Sequence, residues 1–285
     1  MWRVLFIYKP QRLIRLCTGL LLLVATIGHA KPQRIIALAP HLTEQVYSLG
    51  AGERLVATVD YADYPAAAKQ LPRIGNYQYI SIESIITLKP DLVLVWQQGN
   101  QRHLAEQLRA LGIKVYVSKG QRLDELAEQF AKLGQALGED QRGQALSQKV
   151  KQKLHQLRQR YQQQAKVSVF YQMWHQPLRS ISAKSWLNDG IELCGGENIM
   201  AEAPAPYPVL SEEWVLAADP QAIVVVQWEF THPWQNWPQL QAVKHHTIYS
   251  LDPDKAHRFT LRYLESLTAL CQALDDTRKK THSEN

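Results

Sequence analysis

Hydrophobic positions along this chain follow two alternating rhythms. Residues 34–39 (RIIALA), 55–59, 92–96 and 114–117 are short apolar runs bounded by polar or turn residues, the pattern of strands buried on both faces. Between and after them the spacing becomes helical. It does so from Thr43 to the glycines at 50 and 52, across 100–111, and across 123–137, where Leu123, Leu126, Phe130, Leu133 and Leu137 share one face. Residues 140–166 are polar except for one narrow stripe of Leu146, Val150, Leu154, Leu157 and Tyr161. A helix of that length reaches about 39 Å, which suits a rod joining two lobes. A coiled coil is the alternative, with few apolar positions to support it. The alternation then resumes, with strands at 167–171, 223–227 and 247–250 and helices at 185–193 and 261–274. The charged tail from Asp275 reads as frayed. Strands alternating with helices predict parallel sheets.

The second series echoes the first. Ser81, Glu83, Ile85, Pro90, Leu92, Val93 and Val95 recur 130 positions later as Ser211, Glu213, Val215, Pro220, Ala222, Ile223 and Val225. In each copy a serine caps a short helix, a proline stops it and a buried strand follows. Just upstream, 50–56 (GAGERLV) resembles 194–200 (CGGENIM), where glycines end a helix. A repeat too long for a solenoid predicts two similar α/β lobes with a cleft between them. The boundaries that follow are a leader over 1–30, an N-terminal lobe over 31–120, a helical linker over 121–166 and a C-terminal lobe over 167–285.

Composition changes the picture at the amino terminus. Arg3, Lys9, Arg12 and Arg15 precede an apolar run over 16–27, with Gly28 and Ala30 at the usual cleavage offsets. This predicts a secretory signal cleaved near Ala30; an uncleaved anchor is the alternative, and no lipobox precedes Cys17. The remaining chain has 28 basic and 26 acidic residues, so its charge gives nucleic-acid binding little support. Two cysteines remain, Cys194 and Cys271. In an oxidising compartment an even pair reads as a disulfide between the glycine turn and the closing helix, with two buried thiols as the alternative. No Cys or His spacing indicates a metal.

Ligands of parallel α/β lobes meet the loops that follow strands, and these positions are aromatic. Tyr61 and Tyr64 follow the second strand, Tyr77 and Tyr79 precede the first repeat copy, and Trp96 ends the third strand. Trp174 follows the fifth strand and Tyr207 precedes the second copy. Such side chains suit a large, flat, partly polar ligand. Asp254, Lys255, His257 and Arg258 form a polar cluster able to bond amides or carboxylates on a ligand's rim, or else a solvated, capping loop. Glu83 and Glu213 each sit in a helix's first turn, where the dipole favours them. Their recurrence points further, to docking on arginines of a two-fold symmetric partner. No G-x-S-x-G, HExxH, P-loop or GxGxxG occurs, so no catalytic residue is assigned. A binding protein is expected, and a two-lobed enzyme is the alternative.

YADYP (61–65), LKPDLVLVW (88–96), LRALGIKV (108–115) and CGGENI (194–199) carry a resemblance. From Arg34 to about Leu274 the chain is similar to the vitamin B12-binding family of the BtuF type. That family lies within the helical-backbone (class III) periplasmic binding proteins of ABC transporters, which also take haem and ferric siderophores. The resemblance implies an α/β fold of two Rossmann-like lobes with central parallel sheets, joined by a single long helix and closing little. It implies that cobalamin, a transported ligand and not a cofactor, lies against Tyr61 and Trp96. Tyr77 and Tyr207 stand where relatives carry tryptophan, and Asp254 and Arg258 hold the rim, with Asp252 a rival for the acid. Glu83 and Glu213 match glutamates that dock on arginines of the inner-membrane permease, which works with its ATPase. Cys194 and Cys271 match the family disulfide. The implied protein is periplasmic and monomeric when free. Arg179 stands at a family aromatic position, and phenol oxygens at 77 and 207 can ligate haem iron. A haem or ferric-siderophore carrier is therefore the alternative.

Overall fold

A computed structural model describes residues 2, 31–76, 78–97, 99, 102–227 and 233–282. Tyr77 and almost all of the expected leader lie outside the described residues. Pro32–Asn285 forms one compact unit, distinct from Met1–Lys31, and the description concerns that unit. No helix among the described residues is long and apolar enough to cross a membrane.

In chain order the elements are β1 (Ile35–Ala37), α1 (Pro40–Ser48), β2 (Leu55–Ala57), α2 (Ile82–Thr87), β3 (Leu92–Trp96), α3 (Arg102–Ala110), β4 (Val115–Ser118), α4 (Glu125–Leu137) and α5 (Asp140–Tyr161). There follow β5 (Val167–Gln172), α6 (Trp186–Leu193), β6 (Gly196–Asn198), α7 (Glu212–Ala218), β7 (Ala222–Val225), α8 (Gln241–Lys244), β8 (Ile248–Ser250), α9 (Pro253–Ala256) and α10 (Tyr263–His282). The strands form two four-stranded sheets, β2-β1-β3-β4 and β6-β5-β7-β8. Every pairing is parallel.

Period-two alternation sorts strand residues between separate cores. Leu92 and Leu94 join a cluster shared by both halves, while Val93 and Val95 join one private to the first sheet. The counterpart strand β7 repeats the pattern: Ala222 and Val224 enter the shared cluster, Ile223 and Val225 a cluster private to the second sheet. The shared cluster runs through α4, α5 and α10.

The repeat extends to backbone conformation. Lys89 and Asp219, each just before the repeated proline, both adopt left-handed dihedrals, with φ of 46° and 44°. The glycine echo is one residue out of register: the left-handed residues after α1 and α6 are Gly50 and Gly195. Each lies one position past its helix's C-cap, Leu49 and Cys194, where glycine relieves the Cβ clash.

Three expectations need correction. The long helix has 22 residues, about 33 Å, and pairs with α4 in a helical hairpin. A Cβ on Gly134 would lie 2.7 Å from the Gly143 Cα, so only glycine permits that crossing. The strand β6 was not anticipated, because its sequence, GEN, lacks an apolar run. The tail from Asp275 is not frayed but continues α10 to His282. Arg278 anchors it by donating to the carbonyls of Ala165 (2.7 Å), Cys194 (2.8 Å) and Gly195 (3.2 Å).

Candidate functional site

A cavity of about 530 Å³ lies at the carboxyl ends of β1, β3 and β4, between the two halves. From the first half it is lined by Pro40, His41, Tyr61, Asp63, Trp96, Ser118 and Gly120; from the second, by Trp186, Pro253, Asp254, His257, Arg258 and Phe259. The chain turns from strand to helix at Pro40, which takes the first helical position without losing a needed N–H. This sets His41 against Trp96, ring edge to face, with centroids 5.3 Å apart. Trp186 packs edge-on against Phe259 at 5.0 Å. Tyr61 is 74% exposed and has a left-handed φ of 64°. A strained non-glycine residue of this kind is common where a side chain must be aimed at a ligand.

Arg258 ties the halves together at the rim. It donates to Asp63 (2.7 Å), to Asp254 (2.6 Å) and to the Tyr61 carbonyl (3.2 Å). Burial pushes the Asp63 carboxyl up, but the bond and charge of Arg258 outweigh it and hold the group below its ordinary value. His41 is pushed down to about 4 by burial and by the Arg258 charge, and His257 to about 4 by burial. Both imidazoles are therefore neutral near pH 7. The Ser118 hydroxyl and His257 Nε2 are enclosed and have no hydrogen-bond partner among the described residues.

Behind the rim, α1 is latched to the second half. Glu44 receives two bonds from Arg262, at 2.9 and 2.8 Å, and Gln45 donates to the Phe259 carbonyl at 2.6 Å. The Cys194–Cys271 disulfide joins the end of α6 to α10.

The expected site residues divide. Tyr61, Trp96, Asp254 and Arg258 all line the cavity. Asp252 instead caps α9, accepting from the Asp254 N–H at 2.9 Å. Tyr207 is half-buried against the shared core and does not line the cavity; its carbonyl accepts from Arg179. Tyr64 lies under Arg262, 3.8 Å from ring to guanidinium, in a different groove beside α5. Tyr79 is exposed, and Trp174 lines a neighbouring pocket. Glu83 and Glu213 are exposed on α2 and α7. Ser81 accepts from the Ser84 N–H at 3.1 Å, and a hydrogen bond from Ser211 holds the Glu213 carboxyl below its ordinary range. Sequence reasoning missed Ser118, Trp186, Phe259 and Asp63. Ser118 ends a strand, which was a usable signal, but Trp186 reads as an ordinary helix-core residue.

The sequence pattern of the periplasmic binding protein family matches residues 35–255. The vitamin B12-binding protein of Vibrio cholerae is 36% identical over 268 residues, spanning 93% of this chain and 97% of that protein. The crystal structure of periplasmic vitamin B12 binding protein BtuF of Vibrio cholerae superposes with a TM-score of 0.82 at 36% identity, covering 87% of this chain and 99% of that one. The periplasmic heme-binding protein RhuT of Roseiflexus sp. RS-1 gives 0.74 at 25% identity, covering 86% and 98%. This chain therefore belongs to the periplasmic binding protein family.

Proposed function

We propose that the protein is a periplasmic carrier that captures cobalamin between its halves and delivers it to an inner-membrane ABC importer. The observation that carries this reading is the cavity: ring-bearing walls from both halves, with the Arg258 cluster at its rim, in a chain similar to vitamin B12-binding proteins over nearly its whole length. Tyr61, Trp96 and Trp186 would bury the corrin's apolar surface at about 25 cal/mol per Å². Asp254 and Arg258 would bond its amide rim. Neutral imidazoles and a rim arginine already matched by two carboxylates suit a ligand whose periphery is mostly uncharged. Nothing in this scheme makes or breaks a bond.

On this reading residues 31–120 and 167–285 act as lobes about the 121–166 linker, after cleavage of a leader near Ala30, and the free protein is a monomer. Glu83 and Glu213 would dock on arginines of a two-fold symmetric permease working with its ATPase. Exposed apolar Ile86 and Trp214 beside them add contact area. Calorimetric titration with cyanocobalamin is the direct test: saturable one-to-one binding is expected, and no heat at micromolar protein would reject the reading. A haem carrier is the second reading, favoured by Tyr61 and His41 in the cavity and by the likeness to RhuT. It predicts a shifted Soret band on adding hemin, lost in Tyr61→Phe.

A further inference from the structure

A second pocket opens beside the main cavity. It measures about 360 Å³ and is lined by Met173, Trp174, Pro177, Arg179, Val226 and His257. His257 also lines the main cavity, so the two spaces meet at its imidazole. Among the described residues the walls are apolar apart from the Arg179 guanidinium and the His257 imidazole. The Arg179 guanidinium offers five N–H groups. Among the described residues its side chain makes one hydrogen bond, at 3.4 Å to the Tyr207 carbonyl, and no ion pair. His257 Nε2 is enclosed and has no partner among the described residues. Arg258, by contrast, is already matched by Asp63 and Asp254. Of the two arginines lining these spaces, Arg179 is the one whose charge has no counterion among the described residues.

A planar, always-charged fork with one long hydrogen bond and no counterion among the described residues fits a two-oxygen anion. Cobalamin carries one anionic group among neutral amides, the phosphodiester joining the corrin to its benzimidazole nucleotide. We propose that this side pocket is the subsite for that phosphodiester, with Arg179 pairing to its anionic oxygens. Trp174, which lines the same pocket and is 46% exposed, offers a stacking face for the attached heterocycle. The assignment rests on the cobalamin reading and deepens it: the protein distinguishes complete corrinoids from those lacking the nucleotide.

Calorimetry with cyanocobalamin and with dicyanocobinamide, which keeps the corrin and its amides but lacks the phosphodiester and base, tests it. The unaltered protein should bind cyanocobalamin at least about tenfold more tightly than cobinamide. Arg179→Gln should weaken cyanocobalamin about tenfold and cobinamide by less than about twofold, with Arg179→Lys, which keeps the charge but not the fork, falling between. Equal losses for both corrinoids in Arg179→Gln, or no loss for either, would overturn the subsite and leave the carrier reading intact. Failure of the unaltered protein to bind either corrinoid would reject both. A hemin affinity that falls in Arg179→Gln while cyanocobalamin affinity holds would assign the pocket to carboxylates and overturn the phosphodiester. Unchanged melting curves by circular dichroism verify that each variant is folded.

Discussion

The N-terminal half and the C-terminal half share strand order and the left-handed residue before their third strands, yet their first helices bury different mixtures of polar and apolar side chains. The helix α1 buries His41, Thr43, Glu44 and Gln45 beside Leu42 and Val46; α6 buries Trp186, Leu187, Ile191 and Leu193 with a single polar side chain, Asn188. The reason is what each helix faces. In α1, buried polar groups meet matched partners from the other half, Arg262 and the Phe259 carbonyl. In α6, an apolar face packs toward α10, and the Cys194–Cys271 bridge closes the contact covalently. One scaffold can thus be joined to its neighbour by satisfied polar contacts or sealed by apolar packing and a cross-link.

The strongest way to break this contrast is Glu44→Ala. It leaves the Arg262 guanidinium without its carboxylate, a side chain only 2% exposed. Breaking such a buried pair costs about 3–5 kcal/mol, read as a lowered urea midpoint; a loss under about 1 kcal/mol would mean that the shared apolar cluster alone holds the halves. In the other half, Cys194→Ser with Cys271→Ser opens a loop closed across 77 residues. The chain-entropy relation gives about 4.5 kcal/mol, so calorimetry should show the melting temperature falling by about 10 °C or more.

Acid should act on both halves, since His41 and His257 are each held down to about 4. His41 is held down to about 4 from an ordinary 6.5, by burial and then by Arg258. The unfolded chain therefore binds that proton more tightly than the fold does. Stability is complete above pH 6.5 and declines as pH falls toward 4, by up to about 3 kcal/mol for this group. Denaturation at pH 7 and 4.5 measures the slope, and His41→Gln should flatten it; an unchanged slope would place the acid sensitivity elsewhere.

Ligand affinity sharpens the comparison between cavity and periphery. Trp96→Ala should weaken cyanocobalamin by about 2 kcal/mol, roughly 30-fold, whereas Tyr207→Phe, outside the cavity, should change it less than about twofold. Equal losses would show that the second half's loops close on the ligand. The smallest effect on the isolated protein is expected from Glu83→Ala and Glu213→Ala. Melting temperature and cobalamin affinity should be unchanged while transport falls, by similar amounts for the two single variants if the partner is two-fold symmetric. A fall in affinity would place these carboxylates in binding instead of docking.

Legibility in the sequence followed the range of the forces. The capped helices at Ser81 and Ser185 and the apolar strands at 92–96 and 222–225 depend on neighbours a few residues away, and each was readable to within a residue or two. The helix over 263–282 was cut short because Arg278 is held by carbonyls at 165, 194 and 195, far off in sequence. The aromatics were found as a class, but Tyr64 and Tyr207 turn away from the cavity that Tyr61 and Trp96 line.

What this sequence determined by itself is a doubled α/β pattern, its strands and caps, and a supply of rings at strand ends, since local burial and hydrogen bonding act over a few positions. Tertiary structure alone decided which rings share a space, that Arg258 meets Asp63 across 195 positions, and that Arg179 and His257 border one pocket. Those meetings depend on how the halves pack across a common core, and no local rule encodes a distance between residues so far apart along the chain.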